Sequence, residues 1–243
     1  LVLAWMDLRG RYRRSRLGQF WLTISHAFFV FGIGMLYATF FNAPIERYLP
    51  YLAGGFVMWQ LLSTLVIEGC QTFIGASRFI LQQSLPFSVH VVRVVVRNAL
   101  VFAHNIVVFF VVLIIFQPPE FGWSVLLVTP GLALVLINGL WVSLFLGTLS
   151  ARFRDVPQII ASVMQIMFFV TPIIWSPETV GRRGEFVASL NPFAYFIDIV
   201  RGPFLGKPPS LESWAVVLAI TVVGWAGALA FYARYRHRIA YWV

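Results

Sequence analysis

Residues 94–116 read VVVRNALVFAHNIVVFFVVLIIF. The run has no carboxylate, and its only charge, Arg97, lies near its start. A hydrocarbon layer takes roughly 20 apolar residues to cross, so this stretch is long enough to span one. In lipid every backbone amide must find its partner within the chain, and a helix does this inside one segment. Outward from this stretch, five more apolar runs lie at about 20–41, 49–67, 123–149, 157–175 and 213–233. The composition agrees. Of 243 residues, 60% are hydrophobic and 11% charged, and the mean hydropathy is +0.83. A soluble domain carries about 25% charged residues, so a water-coated globule is excluded. The expected fold is an all-α polytopic membrane protein with six transmembrane helices, in a single domain covering 1–243.

The charges set the topology. The chain has a single lysine, Lys207, and its net charge is +9. If the N-terminus is placed in the cytoplasm, the loops on that side and the inner span ends carry a net +10. The opposite side carries −1. This asymmetry is the positive-inside pattern. It accounts for the basic pI without nucleic acid, and it places both termini in the cytoplasm around an even number of spans. Within residues 1–19, Leu1, Trp5, Leu8 and Tyr12 recur at helical spacing among Arg9, Arg11, Arg13, Arg14 and Arg16. That is the pattern of an amphipathic helix lying in the membrane interface. The chain begins at Leu1 without an initiating Met, so upstream residues are expected.

Catalytic chemistry finds little support. No span interior holds Asp or Glu, which argues against a proton-driven transporter. Cys70, the only cysteine, rules out an intrachain disulfide and a cysteine-based zinc site. The stretch GPFLGKP at 202–208 has one residue too few between its glycines for a phosphate loop, and Pro208 stands where Ser or Thr would hold magnesium. His26, Glu68, His90 and His104 are scattered, which weakens a membrane glycosyl- or acyltransferase reading. No metal site is expected. Gly139, Ser143 and Gly147, with Gly224 and Ala228, have the small-residue spacing that lets helices approach closely.

Two connections are too long for turns, 68–93 and 176–212. The first holds a helical stretch ended near Pro86, since proline disfavours helix at the preceding residue. The second holds FVASL and FAYFIDIV on either side of Asn191-Pro192. Such short apolar pieces read as interfacial or re-entrant helices. Aromatics make up 17% of the chain. Phe28, Phe31, Tyr37, Phe168, Phe169, Phe193, Tyr195 and Phe196 fall inside spans or in the second connection. Their flat faces suit stacking against an amphipathic solute such as a sugar chain; core packing or lipid contact is the plainer alternative.

Four stretches carry a family resemblance: DLRGRYRRSRLGQFW (7–21), LQQSLPFSVHVVRVVVRNALVFAHN (81–105), RFRDVPQIIASVMQIMFFVTPIIW (152–175) and LNPFAYFIDIVRGPFLG (190–206). In this order they resemble the permease subunit of bacterial type-2 ATP-binding-cassette exporters of polysaccharides such as lipopolysaccharide O-antigen. The resemblance implies a homodimer in the bacterial inner membrane, bound to two copies of a cytosolic ATPase that holds the ATP and Mg, with no cofactor in this chain. It implies a lipid-linked polysaccharide as cargo, contact with membrane lipids, and no nucleic-acid partner. It also implies a coupling helix at 70–84, with Cys70, Phe73, Arg78 and Gln82 toward the ATPase, and an external gate segment at 177–206. Asn191 and Pro192 would hinge that gate, Asp198 and Arg201 would pair within it, and Tyr195 and Phe196 would face sugar. Capsule or teichoic acid as cargo stays open. Purified alone, the chain is expected to hydrolyse ATP no faster than background in a phosphate-release assay; appreciable turnover would contradict the missing phosphate loop.

Overall fold

The computed structural model describes residues 7, 10, 20–82, 85–116 and 122–243. Arg9, Arg11, Arg13, Arg14 and Arg16, expected on the interface helix, lie outside these; Asp7 and Gly10 are helical. Nine helices organise the described chain: α1 (Phe20–Phe40), α2 (Ile45–Cys70), α3 (Ser77–Gln82), α4 (Phe87–Phe116), α5 (Val128–Arg152), α6 (Val156–Val170), α7 (Arg182–Leu190), α8 (Pro192–Phe204) and α9 (Leu211–Tyr235). Single turns occupy Trp123–Leu127, Pro177–Val180, Arg236–Arg238 and Ile239–Trp242, and no strand occurs among the described residues.

Five of these elements are long and apolar enough to cross a membrane: α1, α2, α4, α5 with the turn before it, and α9 with the turns after it. The apolar stretch 157–175 departs from the sequence expectation of a sixth continuous span. Its helix stops after 15 residues at Val170. Pro172 is the cause: it disfavours helical geometry at Thr171, which takes φ −80° and ψ 139°. The region expected as one coupling helix at 70–84 also divides. Cys70 ends α2, turns follow, and among the described residues beyond it helix resumes at Ser77–Gln82. Pro86 stands just ahead of α4 rather than at the end of α3, because proline's fixed φ and missing N–H suit a helix start.

Helix α2 is the centre of the bundle. It packs against α1, α4, α5, α6 and α8, and most of its length from Tyr48 to Cys70 is buried. Chain reversal into α2 uses Asn42 in the left-handed region (φ 49°). Ala43 N–H donates back to the Ala38 carbonyl at 3.0 Å, a helix-stop geometry that Asn tolerates.

The small-residue spacing of α5 resolves into close helix contacts. A Cβ on Gly139 would stand 3.0 Å from Leu65 of α2, and one on Gly147 would stand 2.9 Å from Thr72 Cβ. A Cβ on Gly69 would stand 3.2 Å from the Ser143 backbone, and Gly224 of α9 lies against the Trp141 ring. Gly131 brings α5 onto α8: a Cβ there would meet the Ile199 carbonyl oxygen at 2.6 Å. That atom is backbone and cannot turn aside. Gly131→Ala is therefore expected to cost about 1–3 kcal/mol by overpacking and to lower the melting temperature of the detergent-solubilised protein. Gly227→Ala, which meets nothing within 4 Å, is the control and should melt no lower than wild type.

Candidate functional site

Two polar clusters sit at opposite ends of α2, and both are built from residues that apolar helices rarely carry. The first lies at its C-terminal end. Arg93 and Arg97, one turn apart on α4, face two carboxylates. Arg93 donates from Nε and Nη2 to the two oxygens of Asp7, so the fork is bidentate. Arg97 donates to Glu68 at 2.7 Å and reaches Asp7 at 3.4 Å. Asn98 donates to Glu68 at 2.9 Å and to the Val94 carbonyl. Burial pushes the Asp7 carboxyl up, but hydrogen bonds from Arg93 and the charges of both arginines outweigh it and hold it below its ordinary value of 3.8. The stabilisation is present above the unfolded carboxylate pKa and fades as pH falls through the lowered one.

Arg93 has a second neighbour. Its guanidinium stands over the Phe79 ring of α3, 5.0 Å from the centroid. One side chain thus joins α3, α4 and Asp7. On α3 itself, Arg78, Phe79, Leu81 and Gln82 are exposed. Cys70 and Phe73, expected on the same outward surface, are fully buried. They are apolar-compatible side chains that the turns after α2 fold inward, Phe73 against the Phe87 ring. Nearby, Ile239 is fully buried and Arg154 donates to the Trp242 carbonyl at 2.7 Å, docking the C-terminal turns onto α5.

The second cluster surrounds the unwound residues 171–176. A break in an apolar bundle frees carbonyls that lipid cannot satisfy, so such backbone is found only where protein or water supplies donors. Here Tyr48 donates to Ile174 O at 2.6 Å, and Tyr51 to Pro172 O and Trp175 O at 3.2 Å each. Trp175 Nε1 donates to Phe169 O at 3.0 Å. Arg201, 7% exposed, reaches Pro172 O at 2.8 Å. Its guanidinium also lies 3.9 Å from the centroid of the Tyr51 ring. The slot that admits it is made by the pair Gly54-Gly55: a Cβ on either would come within 3.2 or 2.8 Å of Arg201 atoms.

Helix α8 is fixed by its first and middle turns. Asn191 is buried; its Oδ1 caps the helix by accepting from Phe193 N, and its Nδ2 donates to Thr171 Oγ1 at 2.9 Å. The expected Asp198–Arg201 pair is not formed. Asp198 instead accepts from Ser213 Oγ at 2.7 Å, which ties α8 to the start of α9, while Arg201 turns to the break. The reason is geometric: Ser213 lies beside Asp198 and the freed Pro172 carbonyl beside Arg201. Tyr195 donates to Ser189 O and Glu212.

The expected aromatic track separates into two sets. Phe28 is 76% exposed and Phe169 66% exposed. Phe31, Tyr37, Phe168, Phe193 and Tyr195 are half-buried, and Phe196 is buried. Phe168 and Phe193 belong to an internal ring ladder together with Phe29, Phe56 and Trp59. Phe29 stacks on Phe56 at 4.2 Å, Phe168 edges both Phe29 and Phe56, and Trp59 bridges Phe168 to Phe193 at 5.9 and 5.4 Å. Trp59 and Phe56 were not singled out in sequence, since each is one more aromatic in an aromatic-rich span. A mainly apolar cavity of about 170 Å³, with Leu62, Trp141, Phe193 and Phe196 in its wall, opens beside the ladder between α2, α5, α8 and α9.

The four candidate catalytic groups do not converge. Glu68 is held by Arg97 and Asn98, His104 Nδ1 bonds the Leu100 carbonyl of its own helix, and His26 lies against the Phe56 ring edge at 5.4 Å. His90 is fully buried. Among the described residues no three His, Cys, Asp or Glu side chains gather as a metal site.

Apolar helices long enough to span a membrane, with polar clusters that fasten helix to helix, define a membrane-embedded helical protein. Comparison with known proteins gives its family. The chain belongs to the ABC-2 type transporter family, whose model matches residues 1–205. It is similar to an O-antigen export system permease protein, RfbA, of Klebsiella pneumoniae, with 24% identity covering 99% of this chain and 93% of the relative. It is also similar to the protein of the same name from Myxococcus xanthus, with 23% identity covering 96% and 91%.

Removing a donor from the second cluster leaves a buried carbonyl unpaired, which costs about 1–3 kcal/mol. Tyr48→Phe deletes the partner of Ile174 O and is expected to lower thermal stability by that order. Arg201→Ala should lower it at least as much, because it also vacates the Gly54-Gly55 slot. Unchanged melting of both variants would remove the break-holding role.

Proposed function

We propose that this chain is the permease subunit of an ATP-driven exporter of a lipid-linked polysaccharide, with O-antigen as the cargo, in the bacterial inner membrane. The observation that carries the reading is the family match, together with relatives named O-antigen export permease that align over nearly the whole chain. In this reading ATP and Mg belong to a separate cytosolic ATPase. Two copies of this chain form the path, and each docks one ATPase.

The exposed side of α3, with Arg78, Phe79, Leu81 and Gln82, is the docking surface. A displacement of α3 then moves Phe79 against Arg93, which carries it to Asp7 on the N-terminal segment. Arg97 and Glu68 pass it to α2. Helix α2 runs to the other cluster, where Tyr48 and Tyr51 grip the break and Arg201 locks α8. A shift of α2 therefore changes both ends together. Residues 177–206 act as the outer gate, with α7 and α8 meeting at Asn191 and Pro192. This is allostery provided that nucleotide binds the two gate states with different affinity.

Helix α6 with the unwound 171–176 makes the sixth crossing. Fifteen residues rise only about 22 Å, so the unwound part completes the passage. The count is then even, with both termini cytoplasmic.

Deleting the gene in its host is expected to abolish surface long-chain polysaccharide and to leave lipid-linked glycan at the inner leaflet, with export restored by the wild-type chain. In the restored strain Arg93→Ala should reduce export severalfold while the ATPase still co-purifies. Surface glycan unchanged by the deletion would refute the assignment.

A further inference from the structure

Helix α6 exposes two different faces. Ile159, Val163 and Ile166 form one, all apolar and exposed. Gln158, Ser162 and Gln165 form the other, also exposed, at i, i+4 and i+7. The three polar residues lie within about 60° on a helix of 3.6 residues per turn. Phe169, one further turn along at i+11, extends the same stripe. The remaining side, with Ile160, Met164 and Phe168, packs on the bundle.

With α6 as the sixth crossing proposed above, the polar face runs inward from its start, Gln158 near the edge and Gln165 deepest. Gln165 is nine residues into the helix, about 13 Å from its start, in a hydrocarbon layer about 30 Å thick. Ser162 turns its hydroxyl to the Gln158 carbonyl of its own helix at 3.1 Å. The side-chain amides of Gln158 and Gln165 have no hydrogen bond to any described residue. An amide left unpaired in hydrocarbon is strongly disfavoured. The apolar face next to it carries no such cost. Lipid therefore suits the isoleucine and valine face, and the glutamine face calls for polar partners such as water or hydroxyl groups. On α2, which packs against α6, Gln60 is also half-exposed at mid-length with no side-chain bond.

We propose that Gln158, Ser162 and Gln165 line the aqueous path and hydrogen-bond the hydroxyl groups of a passing glycan, with Phe169 stacking against its rings. This rests on the exporter reading above. The stripe has no charge, and a neutral polyol is its complement: each amide offers a donor and an acceptor to neighbouring hydroxyls. Direct contacts of this kind are individually weak, so a chain can slide past them.

The test uses the full complex with its ATPase in membranes. Single cysteines replace Ser162, Gln165, Val163 or Ile166, with the buried Cys70 as background, and a charged, membrane-impermeant methanethiosulfonate is the probe. Only a thiolate reacts, and apolar surroundings suppress it, so Ser162→Cys and Gln165→Cys should label at least about tenfold faster than Val163→Cys and Ile166→Cys. Gln165→Leu should export about fivefold less glycan, the size of one lost hydrogen bond, with Gln165→Asn in between and protein level and ATPase association unchanged. Equal labelling on both faces would overturn the proposal. So would a disulfide between two copies at position 165 that blocks the probe, which would make the stripe a dimer contact, or wild-type export by Gln165→Leu. A wild-type complex that exports no glycan would overturn the exporter reading instead, and the labelling pattern would still decide whether the stripe meets water.

Discussion

An interrupted backbone inside an apolar bundle must find donors for the carbonyls it releases, and the rest of this structure is arranged around that need. Pro172 stops α6, and residues 171–176 leave helical geometry. Tyr48 and Tyr51 come from α2, Trp175 from the break itself, and Arg201 from α8. Each donor constrains the helix that bears it. Gly54 and Gly55 leave the room that Arg201 needs beside α2 to reach Pro172, and Asn191 ties α8 to Thr171.

The same helix that supplies the tyrosines ends, at its other extremity, in the carboxylate of Glu68. There the electrostatics are charge on charge: two arginines of α4 shared between Asp7 and Glu68, with Phe79 of α3 beneath one of them. Surface ion pairs contribute little, but these side chains are largely buried and form a network, so loss of one partner strands the others. A single rigid element thus joins a charged cluster to a hydrogen-bonded break. Its middle is held by close small-residue contacts with α5 and by the ring ladder through Phe56 and Trp59.

Much of this was legible in the residues. The apolar runs of α1, α2, α4, α5 and α9 follow from length and hydropathy alone, because the bilayer demands a minimum helix length. The small-residue pattern at Gly139, Ser143 and Gly147 foretold a close helix approach, since spacing along a helix sets which side chains share a face; the structure makes α2 the partner. The family resemblance carried by residues 7–21, 81–105, 152–175 and 190–206 led to the same class as the family comparison. Pairings over long sequence separation were not legible. Asp198 and Arg201 look like partners at i, i+3, yet each found a better one on another element.

The sequence by itself determined that the chain is a bundle of membrane-crossing helices, because that property depends on local composition and on the length of a hydrophobic run. Only the tertiary structure decided which aromatics are internal, that Cys70 and Phe73 turn inward, and that the glutamines of α6 share an exposed face distinct from its isoleucines. Those outcomes depend on which helix lies beside which. A guanidinium or an amide commits to whatever donor or acceptor packing brings within about 3 Å, and no one-dimensional pattern contains that distance.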